Sequence, residues 1–343
     1  MSETAPSSPV RHSGPVTIGF DLGGTKMLAV VFDEKMKPIG RKRRKTRGGS
    51  DKQSVRLERL AETVEQALED AGADVSQLMG IGAGVPGPLD LEKGVILEAP
   101  NLGWKNINLR RFLSEKFHCP AVICNDVDAG VFGEYTAGVA QGERCVLGVF
   151  PGTGIGGGCV YEGHIFRGRR ASCMEVGFLQ MATEGATAGI GLVGTLEGLA
   201  SRLAIAAEAA KAVYRGQAPN LRQLAGTDLA SIRSSALAKS IELGDTVIEE
   251  IVRRAAEQVG RGIGSLINIL APDMVVLGGG LVEAMPKLYM ESVRLGIRRN
   301  VLPSLADVAR VRVSELGDLA AATGAAALVR QFIAEKGASQ QKS

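Results

Sequence analysis

The residues best suited to chemistry lie in two glycine-rich turns and one Asn-Asp pair. The first turn is Ile18-Gly19-Phe20-Asp21-Leu22-Gly23-Gly24-Thr25-Lys26. Thr17, Ile18 and Phe20 are strand formers, and Val30, Val31 and Phe32 rebuild an apolar strand, so the turn joins two hairpin strands. Gly23 and Gly24 allow a sharp bend and a close backbone approach to a ligand. A carboxylate at a strand end, beside glycines, a hydroxyl and a lysine, suits a magnesium-bound polyphosphate. Asp21 would hold the metal, directly or through water, while turn amides, Thr25 and Lys26 face phosphate oxygens. An ordinary glycine hairpin would use the same residues.

The second turn, in residues 148–158, is Gly148-Val149-Phe150-Pro151-Gly152-Thr153-Gly154-Ile155-Gly156-Gly157-Gly158. It too runs from strand to glycine- and Thr-rich turn to strand. Thr153 and Gly154 are the expected phosphate contacts. Asn125-Asp126 follows an apolar strand and opens a helix, which would fix the Asp126 carboxylate rigidly; an N-cap is the simpler use of such a residue. Pro272-Asp273-Met274-Val275-Val276-Leu277 is a buried strand opening into Gly278-Gly279-Gly280. Absent side chains there leave flat backbone for a base or ribose, although a plain strand-to-helix turn would read similarly.

Taken together, these four ordered motifs resemble the ROK family of sugar kinases within the actin/Hsp70/hexokinase superfamily, over roughly residues 16–335. The resemblance implies an α/β chain with a duplicated, two-lobed ribonuclease H-like fold, an actin-like ATPase with an interlobe cleft. It implies ATP-dependent phosphorylation of a hexose, with ATP and Mg2+ as cofactors. Glucose at its 6-hydroxyl is the first expectation; an N-acetylhexosamine kinase, a fructokinase and a non-catalytic sugar-binding regulator are the alternatives. Asp126 is then the general base. Gly278, Gly279 and Gly280 flank the adenosine. Asn101, Asn125, Asp126, Glu175 and Glu197 contact the sugar. The last helix is expected to return to the first lobe, and closing lobes to exclude water. A homodimer is the family expectation.

The sequence departs from the family where many members hold a structural zinc. The usual histidine and three cysteines read Phe178, Ala188, Ile190 and Thr195. Tetrahedral zinc needs four ligands, so no zinc is expected. Some relatives are repressors with an N-terminal helix-turn-helix; about fifteen residues before the first strand are too few for one.

Composition sets bounds on these readings. At 343 residues the chain can build two cores. Aromatics are only 4%, which argues against a nucleic-acid stacking surface, and a net charge of +3 is too small to predict a polyanion partner. Cys119, Cys124, Cys145, Cys159 and Cys173 form no CxxC pair and read as buried thiols in a reducing compartment. No apolar stretch is long enough to span a bilayer, and the N-terminus has no signal-peptide core, so a cytoplasmic location is expected.

The positioning elements follow from patterning. Strands are expected at 16–21, 27–33 and 38–47. The last carries Arg41, Lys42, Arg43, Arg44, Lys45 and Arg47, and reads as a solvated edge strand rather than a polyphosphate surface. Helices are expected at 51–71, capped by Gly72, and at 109–117, 126–136, 190–210, 246–270, 281–293 and 319–334. A disordered polar tail is expected over 1–14, the first lobe over 15–124 with the closing helix 322–336, the second lobe over 125–321, and a disordered tail over 337–343.

Overall fold

The computed structural model describes residues 12–46, 53–99, 102–185, 187–189 and 191–340. The chain divides into two units, and each builds a five-stranded mixed sheet. The first unit comprises residues 1–137, 167–172 and 318–343; the second comprises 138–166 and 173–317.

In chain order, the first unit holds β1 (Val16–Leu22), β2 (Lys26–Phe32), β3 (Pro38–Lys45), α1 (Gln53–Asp70), β4 (Leu78–Val85), β5 (Leu89–Asp90), β6 (Val95–Ala99), β7 (Trp104–Ile107), α2 (Leu109–Phe117), β8 (Ala121–Asn125) and α3 (Asp126–Ala137). The second holds β9 (Cys145–Pro151), β10 (Ile155–Tyr161), β11 (His164–Ile165), α4 (Leu196–Ala200), α5 (Arg202–Tyr214), α6 (Pro219–Ala225), α7 (Ser234–Glu242), α8 (Thr246–Leu270), β12 (Met274–Leu277), α9 (Gly280–Ala284), α10 (Pro286–Asn300) and β13 (Arg310–Val313). The closing helix α11 (Ala320–Gln340) belongs to the first unit.

The first sheet runs β3-β2-β1-β4-β8 and the second β11-β10-β9-β12-β13. In each, an antiparallel hairpin supplies one side and parallel strands continue the other. The repeated order is the duplicated ribonuclease H-like arrangement of two lobes.

Parallel central strands must be covered on both faces, so their sequences are almost continuously apolar. Val16, Ile18, Phe20, Ile81 and Ala83 are all fully buried. On one face, α1 contributes Leu60, Val64 and Leu68, and Gly72 ends it with a left-handed φ of 63°. On the other face, α11 lies so close that a Cβ on Gly19 or Gly82 would collide with the carbonyl oxygens of Ala322 and Ala325.

Several boundaries differ from the sequence expectation. Helix α3 sits in the first unit, not the second, because it packs on α11, β4 and β8. Residues 167–172 join that unit as well: the Arg170 carbonyl accepts from Leu91 N at 3.0 Å, and Ser172 Oγ donates to Asp128 Oδ2. The helix expected at 190–210 is broken, because Ser201 takes an extended conformation and caps a new helix through Ala204 N. That expected at 281–293 is interrupted at Met285-Pro286 and runs on to Asn300. Helices α6 and α7 and strands β5–β7 were not anticipated. The tail expected at 1–14 is tied down in its described part: His12 N donates to Gly72 O at 3.0 Å, and Gln77 Nε2 donates to the carbonyls of His12 and Gly14. At the other end α11 extends through 340. Asn101, Ile190 and Arg47 lie outside the described residues.

Because backbone faces backbone at the α11 crossing, Gly82→Ala is expected to cost about 1–3 kcal/mol in urea unfolding, as overpacked substitutions do. Gly189→Ala, whose Cβ would meet nothing within 4 Å, is the control and should stay within about 0.5 kcal/mol. Equal effects of the two would contradict this packing.

Candidate functional site

In the first unit, adjacent strands bring the expected residues to one edge. Asp21, near the end of β1, pairs with Gly84 of β4, and Gly84 pairs with Cys124 of β8. Asn125 and Asp126 follow directly. A Cβ on Gly84 would lie 3.4 Å from Asp126 Cα, so the glycine lets the Asp126 backbone sit against β4. Asn125 Oδ1 accepts from Val127 N at 2.8 Å and from Asp128 N at 3.2 Å, which caps α3. The N-cap is therefore Asn125, and Asp126 is left as the first helical residue, with its Oδ1 accepting from Val127 N at 3.0 Å.

Burial is the main cause that pushes the Asp126 carboxyl above its ordinary range, with the backbone amides opposing it. Asp21 is raised from 3.8 to about 7, first by burial, then by the negative charges of Asp126 and Asp318; Arg43 lowers it. Arg43 forms an ion pair with Asp318 at 2.7 Å. Asp318 and Arg43 are thus parts of this corner that sequence reading missed. No motif marks Asp318, and Arg43 was read only as a strand-edge charge.

The first glycine turn leaves Thr25 and Lys26 exposed. It is braced by Thr46, whose Oγ1 donates to Gly23 O at 2.7 Å and whose amide donates to Thr25 O at 2.9 Å. Among the described residues, no protein acceptor meets the amides of Gly24 and Thr25. Such amides are ready donors to an anion. The basic strand β3 is an edge strand, with Arg41, Arg43 and Lys45 on its exposed side. Arg43 is spent on Asp318 and Arg44 on Glu62.

The second unit gathers the other set. Glu197, near the start of α4, accepts from Ile155 N at 3.0 Å, and its carboxylate occupies the space that a side chain at Gly154 would need. It therefore shapes the turn, a role not foreseen for it. The short 3₁₀ turn at Val176–Phe178 begins after Glu175, which is exposed, and packs on the start of β10: a Cβ on Gly177 would strike Ile155 O. Phe178 is half-buried. Thr195 is buried and caps α4, its Oγ1 accepting from Gly198 N at 3.2 Å. Among the described residues, no group of three or more His, Cys, Asp or Glu is placed to hold a metal ion.

Gly278 N donates to Val149 O at 3.2 Å, which sets the triple glycine beside the strand that enters the second turn. Gly279 has φ 86°, and a Cβ there would lie 2.7 Å from Pro151 O, so glycine is required. Arg202, the first residue of α5, was also missed. Its amide donates to Gly152 O at 2.9 Å and its Nη2 to Thr153 Oγ1 at 3.1 Å. It directly follows Ser201 of the Glu197 segment, where inspection of the flank would have found it.

The four cysteines 119, 124, 145 and 159 are buried and Cys173 is half-buried, and none of the five is in a disulfide. No helix among the described residues is long and apolar enough to cross a membrane.

The raised Asp21 pKa has a consequence for stability. A carboxyl that prefers its proton in the fold gives stability fully present below its ordinary value of 3.8 and lost as pH rises to about 7. The melting temperature should therefore fall over that window, and Asp21→Asn should flatten the fall. Identical profiles for the two proteins would contradict the buried, charge-crowded corner.

The ROK family model matches residues 17–332. A glucokinase of Halalkalibacterium halodurans is 29% identical over 92% of this chain and 94% of its own length. A xylose repressor of Caldicellulosiruptor bescii is 28% identical over 91% of this chain and 77% of its own. The ROK family glucokinase of Streptomyces griseus, solved in complex with glucose and AMPPNP, superposes with a TM-score of 0.79 at 28% identity, covering 92% of this chain and 99% of that one. Relatives of this chain thus include both glucokinases and a xylose repressor, and the chain belongs to the ROK family.

Proposed function

We propose that this protein is an ATP-dependent hexokinase-type sugar kinase that phosphorylates glucose at the 6-hydroxyl, with Asp126 as general base. The observation that carries this reading is the setting of Asp126. Its carboxylate is held at a helix start, its proton affinity is raised by burial, and Asn125 relieves it of the capping duty. A base suited to a neutral hydroxyl needs that fixed position and that raised affinity. The glucokinases among the relatives support the substrate class.

In the reaction, Asp126 accepts the proton of the attacking hydroxyl as the new O–P bond forms. The bond between the γ-phosphorus and its bridging oxygen breaks, and ADP leaves with that bond's electron pair. Gly23, Gly24, Thr25, Lys26, Thr153 and Gly154 serve the donor's phosphates. Gly278, Gly279 and Gly280 serve its adenosine. Asn101, Asn125, Glu175 and Glu197 orient the sugar. Bound with the nucleotide, Mg2+ would neutralise phosphate charge, and Asp21 would hold it, directly or through water; one carboxylate plus phosphate oxygens is a usual donor set for this ion.

The xylose repressor among the relatives motivates a second reading, a sugar sensor without turnover. An ADP-coupled assay over glucose, fructose and N-acetylhexosamines separates the two. Glucose-dependent ADP release is expected, and Asp126→Asn should reduce kcat by about 10²–10⁴-fold while keeping the native fold. Release of ADP with no sugar dependence, or full turnover by Asp126→Asn, would defeat the proposal. A preference for another sugar would move the substrate to one of the alternatives.

A further inference from the structure

We propose that Arg202 and Arg233, together with Thr153, form a subsite in the second unit for the terminal phosphates of a phosphoanhydride donor. This rests on the kinase reading and deepens it at the donor end.

Arg202 is anchored from three directions. Its backbone amide holds Gly152 O, its Nη2 donates to Thr153 Oγ1 at 3.1 Å, and its Nη1 donates to Ile232 O at 3.3 Å. Because the guanidinium donates, the Thr153 oxygen is the acceptor, and the hydroxyl's own proton is directed to some other acceptor. A phosphate oxygen is the natural one. Among the described residues, the amides of Thr153 and Gly154 likewise meet no protein acceptor.

Arg233 immediately precedes α7, and it is exposed. Its neighbour Ser234 has Oγ 3.5 Å from where a side chain at Gly280 would begin, so this end of α7 abuts the triple glycine. Arg233 is near enough that its charge, after burial, lowers the Arg202 pKa. Among the described residues neither guanidinium pairs with a carboxylate. The nearby Glu197 directs Oε2 to Ile155 N instead.

Two uncompensated cations at one corner repel each other, and a polyanion between them would offset that cost. Guanidinium forks match phosphate oxygens in geometry as well as charge. The contrast with β3 matters, since two of its arginines are already paired. Both ATP and inorganic polyphosphate present the same chain of phosphoanhydrides, so the subsite fits either.

The test uses the whole protein, Arg202→Met, Arg202→Lys and Arg233→Met. Donor KM is measured with MgATP and with inorganic polyphosphate, and binding of tripolyphosphate by calorimetry. Each Met variant should weaken donor KM or tripolyphosphate binding by about tenfold or more, the usual worth of a charged hydrogen bond. Sugar KM should not change, and Arg202→Lys should recover part of the loss. Weakening with ATP alone marks a nucleotide donor; weakening with polyphosphate alone marks the polymer. Should Arg202→Met fail to fold, the exposed Arg233→Met decides. A protein that phosphorylates no sugar, yet binds tripolyphosphate through these arginines, refutes the kinase reading and keeps the subsite. Native donor KM and native tripolyphosphate binding in both Met variants, or no tripolyphosphate binding by the unmodified protein, overturns the subsite.

Discussion

Two carboxylates, Asp21 and Asp126, share one partly desolvated corner, where burial and the Asp126 charge both raise the proton affinity of Asp21. Holding two carboxylates in a largely desolvated corner is the constraint that the first unit must meet. Only a rigid frame keeps such groups together, and the parallel β1-β4-β8 ladder is that frame. Gly84 narrows the gap, Asn125 fixes the helix behind Asp126, and α11 presses on the sheet from its other side. The Arg43–Asp318 ion pair adds a compensating cation and a third carboxylate. An isolated exposed pair of this kind contributes little to stability; its importance lies in the field it imposes on Asp21.

The second unit solves a different problem. Its glycine turn has little side chain of its own to stiffen it, so neighbouring elements do so. Glu197 grips it from α4 through Ile155 N, and Arg202 grips it from α5 through Gly152 O and Thr153 Oγ1. The break between the two helices at Ser201 is what allows a carboxylate and a guanidinium, five residues apart in sequence, to reach the turn from separate helices. One continuous helix would have given them a single axis. The segment leading into α4 is held by the buried Thr195 cap, with Phe178 half-buried beside it.

Much of the site was legible because its chemistry is local. A glycine turn after a strand, and a side-chain acceptor at a helix start, are encoded within a few residues. The expected pairing of strands around both turns, the long α8 and the Gly72 cap all rest on such short-range rules. The helix breaks at 201 and 285 were less legible, because apolar spacing continues through them and only the capping residue or proline records the stop. Short helices such as α6 and α7 carry too few turns to show a period.

The sequence by itself determined which groups stand at the candidate site: Asp21, Asp126, the two turns and the triple glycine, since strand ends, turns and caps are set by neighbouring residues. Tertiary structure alone decided what surrounds them. Asp318 meets Arg43 and faces Asp21 because α11 returns to the first sheet, and Arg233 nears Arg202 because α7 packs beside the triple glycine. Sheet order and helix packing place such distant residues together, and neither leaves a local pattern to read.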